Sequence, residues 1–270
     1  PNPNPNPNPN PNPNPNPNPN PNPNLNHNPK PDPKSGTMLL LSLLLFVLAA
    51  APAEGWTGGA QSVFSVEADA ARLRHLLRET RAVGEAPPAA REEMDDIITR
   101  LADARVPFRR EFLGDGFWMA TYETGAEEPR WKRQFNFLKR SDNRFGQCYD
   151  PDSLEVKNYG EILGNACFVT AEGTFKGTFE NADPKATRCP QDFEVYVNKG
   201  TIHVGGLSIP LPVKGVGYLR VLYADRTLRI FNSPKDTEVA PGQDTWEKGG
   251  LIVCQMPPEE LGEPKPQFFA

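Results

Sequence analysis

The chain has 270 residues, with 29 Lys and Arg against 34 Asp and Glu, for a net charge of −5. This mildly acidic balance gives no support for nucleic-acid binding, and the length is too great for a disulfide-stapled miniprotein. The 4 cysteines (Cys148, Cys167, Cys189 and Cys254) form no Cys-x-x-Cys pair, and none of the 3 histidines stands at a metal-ligand spacing from them.

Residues 1–24 are an unbroken Pro-Asn repeat, and Leu25 to Lys34 continue it in degraded form. Every second residue lacks a backbone donor and has φ fixed, and nothing apolar is available to bury, so the tract reads as extended, PPII-like and disordered. C-rich telomeric DNA read in one frame encodes the same repeat, and each degenerate pair lies one base change away. Residues 1–37 are therefore read as translated telomeric repeat, and His27 within them is not counted as a ligand. Met38 opens an apolar run, Leu39 to Ala51, that is too short to span a bilayer comfortably and has the length of a signal-peptide core. Residues 38–54 are read as a signal peptide-like segment with small residues for cleavage near Ala51 or Ala53. No Lys or Arg separates Met38 from the run, so a hydrophobic anchor is the alternative. Residues 55–65 are read as a transit segment or linker.

Two helical patterns follow within residues 66–104. Val66 to Val83 carries Leu73, Leu76 and Leu77 near helical spacing, Gly84 to Ala89 breaks the chain, and Arg91 to Ala104 carries the stripe Met94, Ile97, Ile98 and Leu101. From Gly116 the period becomes two. Strands are expected at Phe117 to Thr124, Phe135 to Leu138, Arg144 to Gly146, Ile162 to Thr170 and Thr174 to Glu180, with Ala171-Glu172-Gly173 as a tight connection between the last two. Further strands are expected at Phe193 to Val197 and Thr201 to Val204 around an Asn198-Lys199-Gly200 turn, then at Tyr218 to Tyr223, Leu228 to Phe231 and Leu251 to Cys254. Short strands between Gly, Asn, Asp and Pro clusters, without strand–helix alternation, predict a mainly β fold: an antiparallel barrel over 116–255 preceded by two short helices. Residues 257–270 read as a loose, Pro- and Glu-rich tail.

Catalytic motifs are absent: there is no Gly-x-Ser-x-Gly, Walker A or His-Glu-x-x-His sequence. His75 falls on a charged helix face, and His203 in a short strand has no sequence neighbour that makes it a base. Glu92, Glu93, Asp95 and Asp96 read as a solvated face of the second helix. Arg130, Lys132, Arg133, Lys139 and Arg140, interleaved with Trp131, Phe135 and Phe137, suit either an anionic membrane surface or a sheet with one wet face. The cysteines suit either two disulfides on an exported route or four small buried thiols.

Leu113-Gly114-Asp115-Gly116-Phe117-Trp118-Met119-Ala120-Thr121-Tyr122-Glu123-Thr124 resembles the Leu-x-Gly-x-Trp-x-Leu-x-Tyr-Thr strand of the plastid lipid-associated (fibrillin) family. Ser208-Ile209-Pro210-Leu211-Pro212 is similar to that family's apolar segment before the penultimate hairpin. Tyr223, Asp225, Leu228, Arg229 and Ile230 match its Tyr-Leu-Asp-x-x-Leu-Arg-Ile signature, with Ala224 in place of Leu and without the Arg-Gly that usually follows. The pieces stand in family order over Arg91 to Gln255. The resemblance implies a lipocalin-like barrel, not an enzyme, that binds or shields a carotenoid, quinone or fatty acid at thylakoids or lipid globules. It implies no cofactor, and peripheral association with a membrane or lipid globule. On that reading Trp118, Tyr122, Phe193, Val195, Leu219, Val221 and Tyr223 are candidates for the inner wall, and Asp225 with Arg229 forms an ion pair that fixes the hairpin. The hydrophobic segment ahead of residue 55 implies a plastid reached through the secretory route. The alternatives are an enzyme on the same barrel, with His203 as its best candidate residue, and a secreted lipid carrier.

Overall fold

A computed structural model describes residues 63–114, 116–125, 128, 143–177, 187–234 and 250–269. The Pro-Asn tract, the signal peptide-like segment, the strand candidate Phe135 to Leu138 and the Arg130 to Arg140 basic group lie outside those residues. Two helices come first, α1 (Val63–Val83) and α2 (Pro88–Asp103). Pro88 sits in the first turn of α2, where a missing N–H has no intrahelical partner to lose. The apolar stripes behave as their spacing predicts. Leu73, Leu76 and Leu77 of α1 and Met94, Ile97, Ile98 and Leu101 of α2 are all buried. Arg72 with Glu93, and Arg100 with Asp69, tie the two helices together at their edges.

Among the described residues nine strands follow: β1 (Phe117–Thr124), β2 (Phe145–Asp150), β3 (Glu155–Glu161), β4 (Cys167–Gly177), β5 (Gln191–Val204), β6 (Leu207–Leu211), β7 (Gly215–Ala224), β8 (Arg229–Pro234) and β9 (Gly250–Met256). Their order is β4-β3-β2-β1-β9-β8-β7-β5, and β5 pairs back onto β4, so eight strands close into an antiparallel barrel. The first half of β5 pairs with β7 and its second half with β6, which extends the wall as a hairpin. Closure removes the unpaired edges that an open sheet would expose.

Alternation along the strands sorts the apolar residues into three regions. Inside the barrel lie Tyr149, Val156, Val169, Phe175, Phe193, Val195, Leu219, Val221 and Phe231. Outside, under the two helices, lie Tyr122, Leu222, Tyr223, Leu228, Ile230, Ile252, Cys254 and Met256. Because β9 has the interior on one face and the helices on the other, every residue of Gly250–Met256 is buried. A third, smaller cluster lies elsewhere on the outside, where Phe268 and Phe269 pack against Phe117, Tyr159 and Phe168. The C-terminal segment is thus packed rather than loose. Arg78 donates to the Glu260 carbonyl at 2.6 Å and Arg81 pairs with Glu263, which hold it against α1.

Two expected turns do not exist. Ala171-Glu172-Gly173 lies inside the continuous strand β4, and Asn198-Lys199-Gly200 inside β5. The two clusters face each other: Glu172 pairs with Lys199, Gly173 pairs with Val197, and the register shifts there. The breaker residues mark a bulge that bends both strands around the barrel rather than ending them. A Cβ on Gly173 would stand 1.9 Å from the Tyr196 carbonyl oxygen, and one on Gly200 would stand 2.8 Å from a Val213 methyl. Strand β3 was not legible because its inward positions include Asn158 and Gly160, while its large apolar residue Tyr159 faces out under the tail. Gly173→Ala is expected to lower stability by about 3 kcal/mol, measured by denaturant unfolding; a variant as stable as the parent would show that the strands do not need this close approach.

Candidate functional site

The lower end of the barrel is where β7 turns into β8 and where the chain enters β1. A short 3₁₀ turn, Arg110–Leu113, plugs this end; Leu113 from the turn and Phe108 just before it enter the interior core. Above the plug Trp118 points inward and donates its Nε1–H to the Gly114 carbonyl at 2.8 Å. The guanidinium of Arg229 lies 4.0 Å from the Trp118 ring centroid and 5.5 Å from those of Tyr149 and Phe231. Arg229 is 0% exposed. Its Nη1 donates to the Leu113 carbonyl at 2.6 Å, and its Nη2 to Gln255 Oε1 at 3.0 Å and to the Gln147 carbonyl at 3.4 Å. Gln255 in turn donates to Gln147 Oε1, and Gln147 to Asn158 Oδ1. A polar tier therefore crosses one side of the interior just above the plug.

Among the described residues no carboxylate pairs with Arg229. Burial pushes its pKa down to about 9, which leaves it charged at neutral pH. Removing such a cation from water costs several kcal/mol. The Trp118 face contributes about 2 kcal/mol and each good hydrogen bond to the charge about 1.5–3 kcal/mol, so among the described residues it is neutral groups that offset this cost. Two polar atoms here have no hydrogen-bond partner among the described residues: Arg229 Nε and the Tyr149 hydroxyl.

The interior differs along its length. At the lower end Tyr149, Phe175, Phe193 and Phe231 meet edge to face or tilted, with ring centroids 5.3 to 6.0 Å apart, a packed aromatic floor. Toward the upper end the inward positions turn small, with Ala120 and Gly160, and Phe145, Asn158, Gly160 and Ile202 are only half-buried although they face in.

Of the residues expected to line the barrel, Phe193, Val195, Leu219 and Val221 do face the interior, within its packed core. Trp118 faces in as the lid over Arg229. Tyr122 and Tyr223 do not face in: both lie outside, under the helices. Register shifts in β1 and β7, beside Tyr122 and Tyr223, turn these side chains outward. Tyr122 donates to Asp95 Oδ1 at 3.0 Å, with Thr124 on the other oxygen at 3.2 Å, so Asp95 is not part of a solvated face. Glu93 is likewise occupied, by Arg72.

The expected Asp225–Arg229 ion pair is also absent, because the two side chains leave the hairpin on opposite sides. Asp225 Oδ1 accepts from the backbone N–H groups of Thr227 and Leu228 at 2.7 and 2.8 Å, which caps the β7–β8 turn. Asp225 Oδ2 accepts from the Tyr223 hydroxyl at 2.8 Å and from Arg74 of α1 at 2.9 Å. The motif thus holds the helices on one side of the wall, while Ala224 and Arg229 face the barrel interior.

His203 faces out from β5, stacked on Phe168, with Thr170 and Ser208 hydroxyls 3.2 and 3.0 Å from its two ring nitrogens. Burial holds its pKa below the ordinary value. It does not reach the barrel interior. All four cysteines are free thiols, and burial pushes Cys189 up to about 12. Among the described residues no group of three His, Cys, Asp or Glu side chains is placed to hold a metal ion, and no helix is long and apolar enough to cross a membrane. The polar tier of Gln147, Gln255 and Asn158 had no signal in the sequence beyond polar residues at inward strand positions.

The fold and its interior define a lipocalin-like closed β-barrel with a helical cover. No family model matches the chain, and no match was found among curated proteins or solved structures.

A double-mutant cycle separates the two sides of the hairpin. Arg74→Ala with Asp225→Ala is expected to show a coupling of about 0.5–1 kcal/mol, reduced by partial exposure. Asp225→Ala with Arg229→Met is expected to be additive within error. The reverse pattern in urea unfolding would restore the Asp225–Arg229 pair.

Proposed function

We propose that this protein is a non-catalytic carrier that holds one small apolar molecule in the upper half of its barrel. The observation that carries this reading is the asymmetry of the interior: an aromatic floor sealed by the 3₁₀ plug below, and above it inward positions that are small, as at Ala120 and Gly160, or only half-buried, as at Phe145 and Ile202. A barrel of eight strands is wide enough to hold one small ligand once its side chains leave room. Ala120, Phe145, Gly160, Ile202 and Val253 are the wall such a ligand would meet, in place of Phe193, Val195, Leu219 and Val221, which belong to the larger interior cluster. The motif resemblance extends this reading to a plastid lipid-associated protein, with a carotenoid, quinone or fatty acid as cargo and a membrane or lipid globule as its surroundings.

The full chain is expected to bind a fluorescent apolar probe with micromolar affinity, and Ala120→Phe to weaken it at least about tenfold by filling the upper interior, with the circular dichroism spectrum unchanged. Binding no tighter than to an unrelated soluble protein would remove the carrier reading. For the plastid address, residues 38–70 fused to a fluorescent reporter are expected to deliver it to the plastid; delivery to the medium would favour a secreted carrier.

A further inference from the structure

The aromatic floor carries a charge that a purely apolar cargo would not use. Arg229 is fully buried inside the barrel, no carboxylate among the described residues answers it, and its Nε–H has no acceptor there. The Tyr149 hydroxyl is fully buried with no partner among the described residues, and its ring centroid lies 5.5 Å from the same guanidinium. Both side chains project inward, from β8 and β2, on the inner face of the plug. Directly beside them, Gln147 and Gln255 spend their amides on one another, on Arg229 and on Asn158. The tier reaches the half-open region at Asn158, which is only partly buried. Arg229 and Tyr149 thus bring two unused donors together at the aromatic floor.

We propose that Arg229 and Tyr149 form the head-group site for a single-chain aliphatic carboxylate, seated head-down on the floor with its chain toward the upper end. The inference rests on the carrier reading and narrows it. An oxyanion there accepts from Arg229 Nε and the Tyr149 hydroxyl, and supplies the counter-charge that the neutral shell of Arg229 lacks. A hydrocarbon satisfies neither donor. An alcohol of the same length offers an acceptor without charge, and so forms the weaker complex. Trp118 is not a competing donor, because its Nε1–H is already given to Gly114.

The test uses the full chain at pH 8, with hexadecanoate, 1-hexadecanol and hexadecane competing against the fluorescent probe. Wild type is expected to bind the acid at least about tenfold more tightly than the alcohol. Tyr149→Phe removes only an unpartnered hydroxyl, so its melting temperature should not fall, while its affinity for the acid drops about tenfold and its affinity for the alcohol stays within about twofold. Equal binding of acid and alcohol by wild type, or an unchanged affinity of Tyr149→Phe for the acid, overturns the head-group site and leaves the carrier reading standing. Failure of all three ligands to displace the probe overturns both.

Discussion

The buried guanidinium of Arg229 joins most of the barrel's lower end. It reaches from β8 to the plug at Leu113, to β9 through Gln255, to β2 through Gln147, and to β1 through the face of Trp118. An arginine in this position cannot be treated as ordinary core. It must keep its hydrogen bonds or leave the interior, because an unanswered buried cation costs more than any one contact around it returns. The plug geometry, the inward rotamer of Trp118 and the run of amides from Gln255 to Asn158 all follow from that requirement. The aromatic residues that pack above it then have a fixed floor to stand on.

The outer side of the same hairpin solves a different problem. Two amphipathic helices need an apolar surface, and the sheet offers one where β7, β8, β9 and β1 turn Leu222, Ile230, Ile252 and Cys254 outward. Packing fixes the contact, but not its register. Register comes from polar links at the edges: Arg74 to Asp225 near the hairpin turn, and Asp95 to Tyr122 and Thr124 farther along β1. Such partly buried pairs contribute modestly to stability and more to orientation. The short span from Tyr223 to Ile230 therefore serves the helices with Tyr223, Asp225, Leu228 and Ile230, and serves the barrel with Ala224 and Arg229.

Much of the architecture was legible. Both helical stripes, strand β1 with its full length, and the strands on either side of Asp225 follow from periodicity, since burial selects side chains by their spacing. What was not legible fails for identifiable reasons. Gly173 and Gly200 read as chain reversals because glycine signals both a turn and a close approach, and only the partner strand shows which applies. The tail read as loose because Phe268 and Phe269 are too few to form a pattern, although they find Phe117 and Tyr159 in space. Tyr122 and Tyr223 were placed inside by strict alternation, which the bulges in β1 and β7 break.

The sequence by itself determined the class of fold: two apolar-faced helices ahead of a set of alternating strands, with polar breakers between them. Its local patterns are set by interactions a few residues long, so they can be read without coordinates. Tertiary structure alone decided which face of each wall residue is the interior and where Asp225 and Arg229 find their partners. It also decided that a charged side chain lies beside the aromatic floor. Those outcomes depend on barrel closure, bulges and contacts between distant residues, such as Arg74 with Asp225, 151 positions apart, and no local pattern encodes them.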